Sequence, residues 1–425
     1  MKDGFRFFVL PALIEEKIFL ILSGAIAFSI PFKASFNSLF CILLFIFWLL
    51  FTKKKIDPSR IDVIGMISIL FWIAVVGMLY TQNLEEGLFR FQQKSLLLVL
   101  PLVFFTSEIE WRKHISIISS IFIYGVLFAC IFCLIEASYN SWMHSSGEYF
   151  FSEKLARSSI VDLYPYILAL LCFSSALLLT ESCLGKFGLH FFLTARKIAV
   201  PLTCFLIMFI LLLGVKQIII ALIIFLFLYA IRIHKRIIYF LVVGVLVIIT
   251  SVIYFSPILK TRLTEVVNEK NQENALDQNP TLGTPLNGIA LRRALWVCAV
   301  DVIKENLWIG VGSGDGQDEL QKSYQKREFV FAANYNRFNA HNQYLQVAIN
   351  FGLIGLVIWI ASFGWLFYQF KTNWLFISAL GLFLFSMLTE SMLETNKGAL
   401  AMAFVLTLLA TETNCTASKS NEQHG

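Results

Sequence analysis

The sequence predicts an all-α polytopic membrane protein, and three observations predict it. Of the 425 residues 58% are hydrophobic and only 15% are charged, with a mean hydropathy of +0.74. Soluble domains average about 45–50% apolar and about 25% charged residues. The apolar residues also recur along nearly the whole chain, in runs close to the ~20 residues that cross a bilayer as a helix. Alternating apolar and polar residues, the mark of a barrel strand, are absent. A water-soluble enzyme, a disordered chain and a protein with a single anchor are thereby excluded. The formal charge of +6 fits Lys and Arg gathered in cytoplasmic loops and carries no nucleic-acid-binding pattern. The eight cysteines show no metal spacing; Cys130 and Cys133 lie inside an apolar run and read as packing residues. The N-terminus has no cleavable signal pattern.

The elements follow in order, about twelve helices in all. Helices over 18–32 and 36–52 lead to Lys53-Lys54-Lys55 and Arg60. Those over 62–80 and 93–107 lead to Arg112-Lys113. Helices 115–136 and 163–181 lead to Lys186, and Arg196-Lys197 precede 198–214. Gly214-Val215-Lys216 breaks a long apolar run and separates 216–232, whose end at Arg232 is followed by Lys235-Arg236 and helix 237–256. Helix 342–367 leads to Lys371, and 374–390 and 398–412 close the series. With the N-terminus inside, every one of these basic clusters is cytoplasmic, as the positive-inside rule requires. Residues 1–256 thus carry nine helices, 257–340 a large periplasmic loop, 341–412 three more helices and 413–425 a polar cytoplasmic tail.

The loop holds ten Lys/Arg and ten Asp/Glu. Its first part is rich in Asn, Gln, Pro and Gly and reads as irregular. Leu291, Leu295, Ala299 and Ile303 recur at helical spacing and predict a helix over 291–305, lying on or near the membrane. Gly310-Val311-Gly312-Ser313-Gly314-Asp315 has neither the Lys-Ser/Thr of a Walker A loop nor the context of a dinucleotide fingerprint, so it reads as a tight turn.

Of six histidines only His144 and His341 fall on the outer side. His341 directly precedes a helix, at the membrane interface where a lipid-linked substrate presents its head group. An imidazole there can act as a base near neutral pH; an interfacial histidine in a polar capping segment would look the same. Arg292 and Arg293 offer donor forks matched to phosphate oxygens, unless they are solvated turn residues. Arg90 and Lys94 at one outer helix end, and Lys216 at another, add three cations on the same side. Glu390 and Glu394 flank the last outer turn. No acidic pair or His/Asp/Glu cluster suggests a metal, so cations are expected to neutralise phosphate. Gly352 and Gly355 permit close helix packing.

His341-Asn342, nine residues, Gly352, two residues and Gly355 resemble the signature of bacterial O-antigen ligases: His, then Asn, Ser or Gln, nine residues, Gly, two residues, then Gly, Thr or Tyr. Arg292 with Trp296, the 310–315 turn, the helix count and the single long outer loop are similar to that superfamily too. The resemblance implies a membrane glycosyltransferase of GT-C type in the bacterial inner membrane, using no cofactor. It implies glycan transfer from undecaprenyl diphosphate to lipid A–core or another glycan acceptor at the periplasmic face. Carried over, His341 and Arg292 are catalytic, while Lys216, Arg293, Arg90, Lys94 and Asn342 bind diphosphate or glycan. Where members carry Ser-Arg, this chain has Val215-Lys216, which keeps the charge and loses the fork. Ligases, polymerases and protein glycosyltransferases share these motifs. The rival from another class is a polytopic transporter or lipid-glycan flippase, whose repeats and midplane charges are not evident here.

Overall fold

The computed structural model describes residues 10–55, 57–190, 193, 195–233, 288–329, 332 and 337–422. Within them the apolar runs are helical, the state in which a chain satisfies its own backbone groups in lipid. In order these are α1 (Ala12–Ser29), α2 (Ala34–Phe51), α3 (Pro58–Gly77), α4 (Leu84–Thr106), α5 (Trp111–His144), the short α6 (Ser152–Ala156), α7 (Pro165–Cys183), α8 (Arg196–Leu213) and α9 (Lys216–Ile233). Then come α10 (Gly288–Glu305), α11 (Gly316–Lys326), α12 (Gln343–Gln369), α13 (Trp374–Ser386) and α14 (Asn396–Glu422). No strand occurs among the described residues. Seven of the described helices are long and apolar enough to cross a membrane. The expected helix 237–256 and the loop segment 257–287 lie outside the described residues.

Many expected boundaries hold to within a few residues, but α1 begins at Ala12 rather than 18 and α5 runs to His144 rather than 136; other features have local causes. Gly214 ends α8 in the left-handed region (φ 63) and releases the chain into α9. α4 starts well before residue 93 because Asn83 caps it, accepting from the Glu86 N–H, with Glu85 and Glu86 in the favourable first turn. α13 stops at Ser386 rather than 390, which leaves Glu390 in a turn. α14 runs past 412 into the expected tail. The expected loop helix is α10, beginning at Gly288.

α7 and α14 form the centre of the bundle. Residues 167–179 and 397–411 are buried without exception, as expected of helices apolar on every face. Ala399, Ala401 and Ala403 bring neighbouring helices close to α14. α2 instead exposes Phe36, Leu39, Ile42 and Ile46 and lies at the rim. Cys130 and Cys133 are buried packing residues. A second apolar cluster joins α10, α11 and the start of α12 through Leu295, Ala299, Leu320, Tyr324 and Ile349.

One break matters for the site. α12 is interrupted at Gly352, with φ 65 and ψ −171. The backbone groups released there are taken by residues 307–312. Val311 N donates to Ile349 O (3.0 Å), Gly312 N to Asn350 O (2.9 Å) and Leu353 N to Leu307 O (2.8 Å). A Cβ on Gly352 would collide with the Trp308 backbone, and one on Gly310 with the backbone of Asn350 and Phe351. Gly352 is therefore a close backbone approach at a helix break; Gly355, whose Cβ would meet Phe351, is the packing glycine.

Candidate active site

The site lies at the end of the bundle where α12 begins and α13 and α14 are joined. Asn342 caps α12: its Oδ1 accepts from Tyr344 N (2.9 Å) and Leu345 N (3.1 Å), and its Nδ2 donates to Leu388 O (2.9 Å). The Asn342 amide is thus committed to local structure. The residue before it, His341, has φ 44, a left-handed conformation uncommon for residues other than glycine. It is held there because His341 N donates to Asn339 Oδ1 (2.9 Å). The ring is partly exposed and rests near Phe338, with centroids 5.7 Å apart.

His341 Nδ1 lies 3.3 Å from Glu390 Oε2, and Arg292 Nη2 donates to Glu390 Oε1 at 2.6 Å. Arg292 Nε and Nη1 also donate, to Thr389 O and Gly288 O (3.2 Å each). One carboxylate therefore bridges the two residues marked as catalytic, bringing the loop helix, the start of α12 and the α13–α14 turn to one point. A donor at Nδ1 facing Glu390 leaves the neutral imidazole with its lone pair on Nε2.

Beneath this set is a second one. Lys94 is almost fully buried, and its Nζ is 3.0 Å from Glu394 Oε2. Arg90 Nε donates to Glu86 Oε1 (2.7 Å), and Nη1 to Glu394 O (3.1 Å). Burial would raise the Glu394 carboxyl, but Lys94 and Arg90 beside it hold it below the usual carboxylate range. Gln343 donates to Glu394 Oε1 (3.2 Å), and its Oε1 accepts from Leu393 N (2.8 Å). Gln346 and Asn350 continue the same stripe of α12, both buried. These amides and Arg90 line a small polar cavity of about 10 Å³, room for one water.

Three of the sequence-marked cations are matched by carboxylates: Arg292 by Glu390, Lys94 by Glu394, and Arg90 by Glu86 and Glu394. The reason is general, since a charge this far from water is stable only when paired. Arg293 lies on another face of α10, in a groove with Trp296, Val297 and Lys304. Lys216 is exposed where α8 meets α9. His144 ends α5, its Nδ1 2.9 Å from Asn140 O. Arg337, the other loop arginine considered, pairs with Asp318 (2.7 Å). Among the described residues no three His, Cys, Asp or Glu side chains gather as a metal site would require.

The 310–315 turn anchors this arrangement. The Asp315 carboxylate accepts from Thr81 Oγ1, Gln82 N and Asn83 N, each at 2.8 Å. Ser313 Oγ donates to Ala74 O (2.7 Å). The turn therefore fixes the start of α4, and with it Arg90 and Lys94.

Sequence reasoning noted Glu390 and Glu394 but not their partners, and it missed the amide stripe. Gln343, Gln346 and Asn350, spaced three and four apart in an apolar helix, were the available signal. No curated protein is a significant match to this chain. Residues 201–360 match the family model described as O-antigen ligase, and this match, which spans Arg292, His341 and Gly352, supports a likeness to the O-antigen ligase superfamily over that part of the chain.

Proposed function

We propose that the protein transfers a glycan from undecaprenyl diphosphate to an acceptor hydroxyl at the periplasmic face of the inner membrane. Ligation of O-antigen to lipid A–core is the reading preferred here, and polymerisation of the glycan is the alternative within the same chemistry. His341 Nε2 takes the proton of the acceptor hydroxyl. The oxygen then attacks the anomeric carbon with inversion, and the bond from that carbon to the diphosphate oxygen breaks. Undecaprenyl diphosphate leaves with the bonding pair, its charge met by cations of the site. Glu390 keeps the imidazole in the required tautomer and ties it to Arg292. The observation that carries this reading is the His341–Glu390–Arg292 bridge, whose histidine and arginine both lie in the segment that matches the ligase family model.

The experiment is transfer by purified protein in detergent with no membrane gradient. His341→Ala is expected to abolish transfer while the protein stays inserted. Glu390→Gln is expected to lower kcat by about 10²-fold, the low end of what a positioned base contributes, with KM little changed. Full activity in His341→Ala would overturn the base assignment. Wild-type protein that needs a gradient and moves a lipid without joining sugars would identify the transporter instead. A strain whose lipid A–core carries a single repeat unit when the gene is deleted would identify the polymerase.

A further inference from the structure

Three of the cations that the sequence marks for a diphosphate, Arg90, Lys94 and Arg292, are paired with carboxylates within the protein. Arg157 is different. It directly follows α6, is exposed, and forms no ion pair with any described carboxylate. Its guanidinium carbon stands 5.1 Å from the centroid of the Tyr164 ring. An aromatic face orients a guanidinium while leaving the edge that carries its N–H donors open.

Tyr164 stacks on Tyr166, with ring centroids 5.9 Å apart and planes 20° from parallel. Between Arg157 and Tyr164 the Ile160 carbonyl accepts from Lys33 N (3.2 Å), and Lys397, at the start of α14, donates to the carbonyl of the adjoining Phe32. The ladder of Arg157, Tyr164 and Tyr166 thus belongs to a segment tied through residues 32 and 33 to the start of α14, next to the turn that carries Glu390 to His341. Its inner end is packed, whereas Tyr164 remains 48% exposed. Lys154 pairs with Glu148 (2.5 Å), and the Glu136 carboxylate accepts from Ser159 N and Oγ (2.9 Å each).

We infer that Arg157 and Tyr164 form a phosphate subsite at the end of the bundle that carries the His341 set, the Arg157 fork meeting two phosphate oxygens and the Tyr164 ring flanking the adjoining sugar. The inference rests on the transfer reading above. The phosphate belongs either to the undecaprenyl diphosphate donor or to a phosphorylated acceptor lipid such as lipid A.

The test uses the full chain in nanodiscs, wild type against Arg157→Ala, Arg157→Lys, Tyr164→Ala and Tyr164→Phe. Arg157→Ala is expected to raise KM for one substrate by roughly 10-fold or more, the value of a charge-assisted hydrogen bond, with kcat and thermal midpoint nearly unchanged. Arg157→Lys is expected to recover little, because it loses the fork; Tyr164→Phe, which keeps the ring, is expected to behave as wild type, unlike Tyr164→Ala. A rise in donor KM assigns the phosphate to the donor, and a rise in acceptor KM to the acceptor. Unchanged KM for both would overturn the subsite. Wild type that fails to transfer would instead count against the transfer reading. The subsite is then read from binding of undecaprenyl diphosphate and of lipid A to wild type and Arg157→Ala, and equal affinities for both lipids would overturn it.

Discussion

Glu394 is buried against an ammonium and a guanidinium, and the three charges stabilise one another only as a set. Replacing Lys94 with Met alone strands a buried carboxylate and is expected to destabilise by about 3–5 kcal/mol; adding Glu394→Gln should recover much of that loss. Thermal unfolding of the two single variants and the double variant measures it, and additive losses would deny the coupling. The pH dependence has a definite sign. The Glu394 carboxyl is held below its usual range in the folded chain, so its contribution is present above the ordinary glutamate value of about 4.3 and is lost as pH falls through the folded value. Wild type is therefore expected to lose stability on acidification, with a weaker loss in Glu394→Gln. Equal slopes for the two proteins would show that the acid sensitivity lies elsewhere.

At the scale of elements, the break in α12 is the feature on which the loop depends. Gly352→Ala is expected to lower the thermal midpoint and impair transfer, because φ 65 disfavours a side chain and the new Cβ meets the Trp308 backbone. An unchanged midpoint would mean that the 307–312 segment can move aside. Helices were legible in the sequence wherever an apolar run ended at basic residues or at Gly214, since burial and backbone satisfaction are local demands. The break at Gly352 was not legible, because the apolar pattern continues through it and only a segment more than forty residues earlier makes it possible. The site was legible in the same partial way. His341 and Arg292 stand out by residue type and motif, but Glu390 acquires its role only by lying 3.3 Å from one and 2.6 Å from the other after the chain has folded. The early start of α4 follows from a single capping side chain, Asn83, which an apolar scan passes over.

At the scale of the whole molecule, the expected orientation places the His341 end in the periplasm and the Lys53-Lys54-Lys55 end in the cytoplasm. Single cysteines introduced at Asn339 and at Lys53, in a background freed of the native cysteines, are expected to react with an impermeant maleimide from opposite sides of sealed vesicles. Labelling of both from one side would reject that topology. The turn between α13 and α14 has a further consequence, for biogenesis. Glu390 meets His341 and Arg292, Glu394 meets Lys94 and Arg90, and Lys397 donates to the Ile30 carbonyl and to Phe32 and Asn37 at the start of the chain. The counter-charge for Lys94 is thus synthesised 300 residues after it. Until the final hairpin is inserted, Lys94 lacks the carboxylate that lets it lie buried, and the imidazole lacks the group that orients it. Burial of Lys94 and orientation of the imidazole therefore depend on the same short turn.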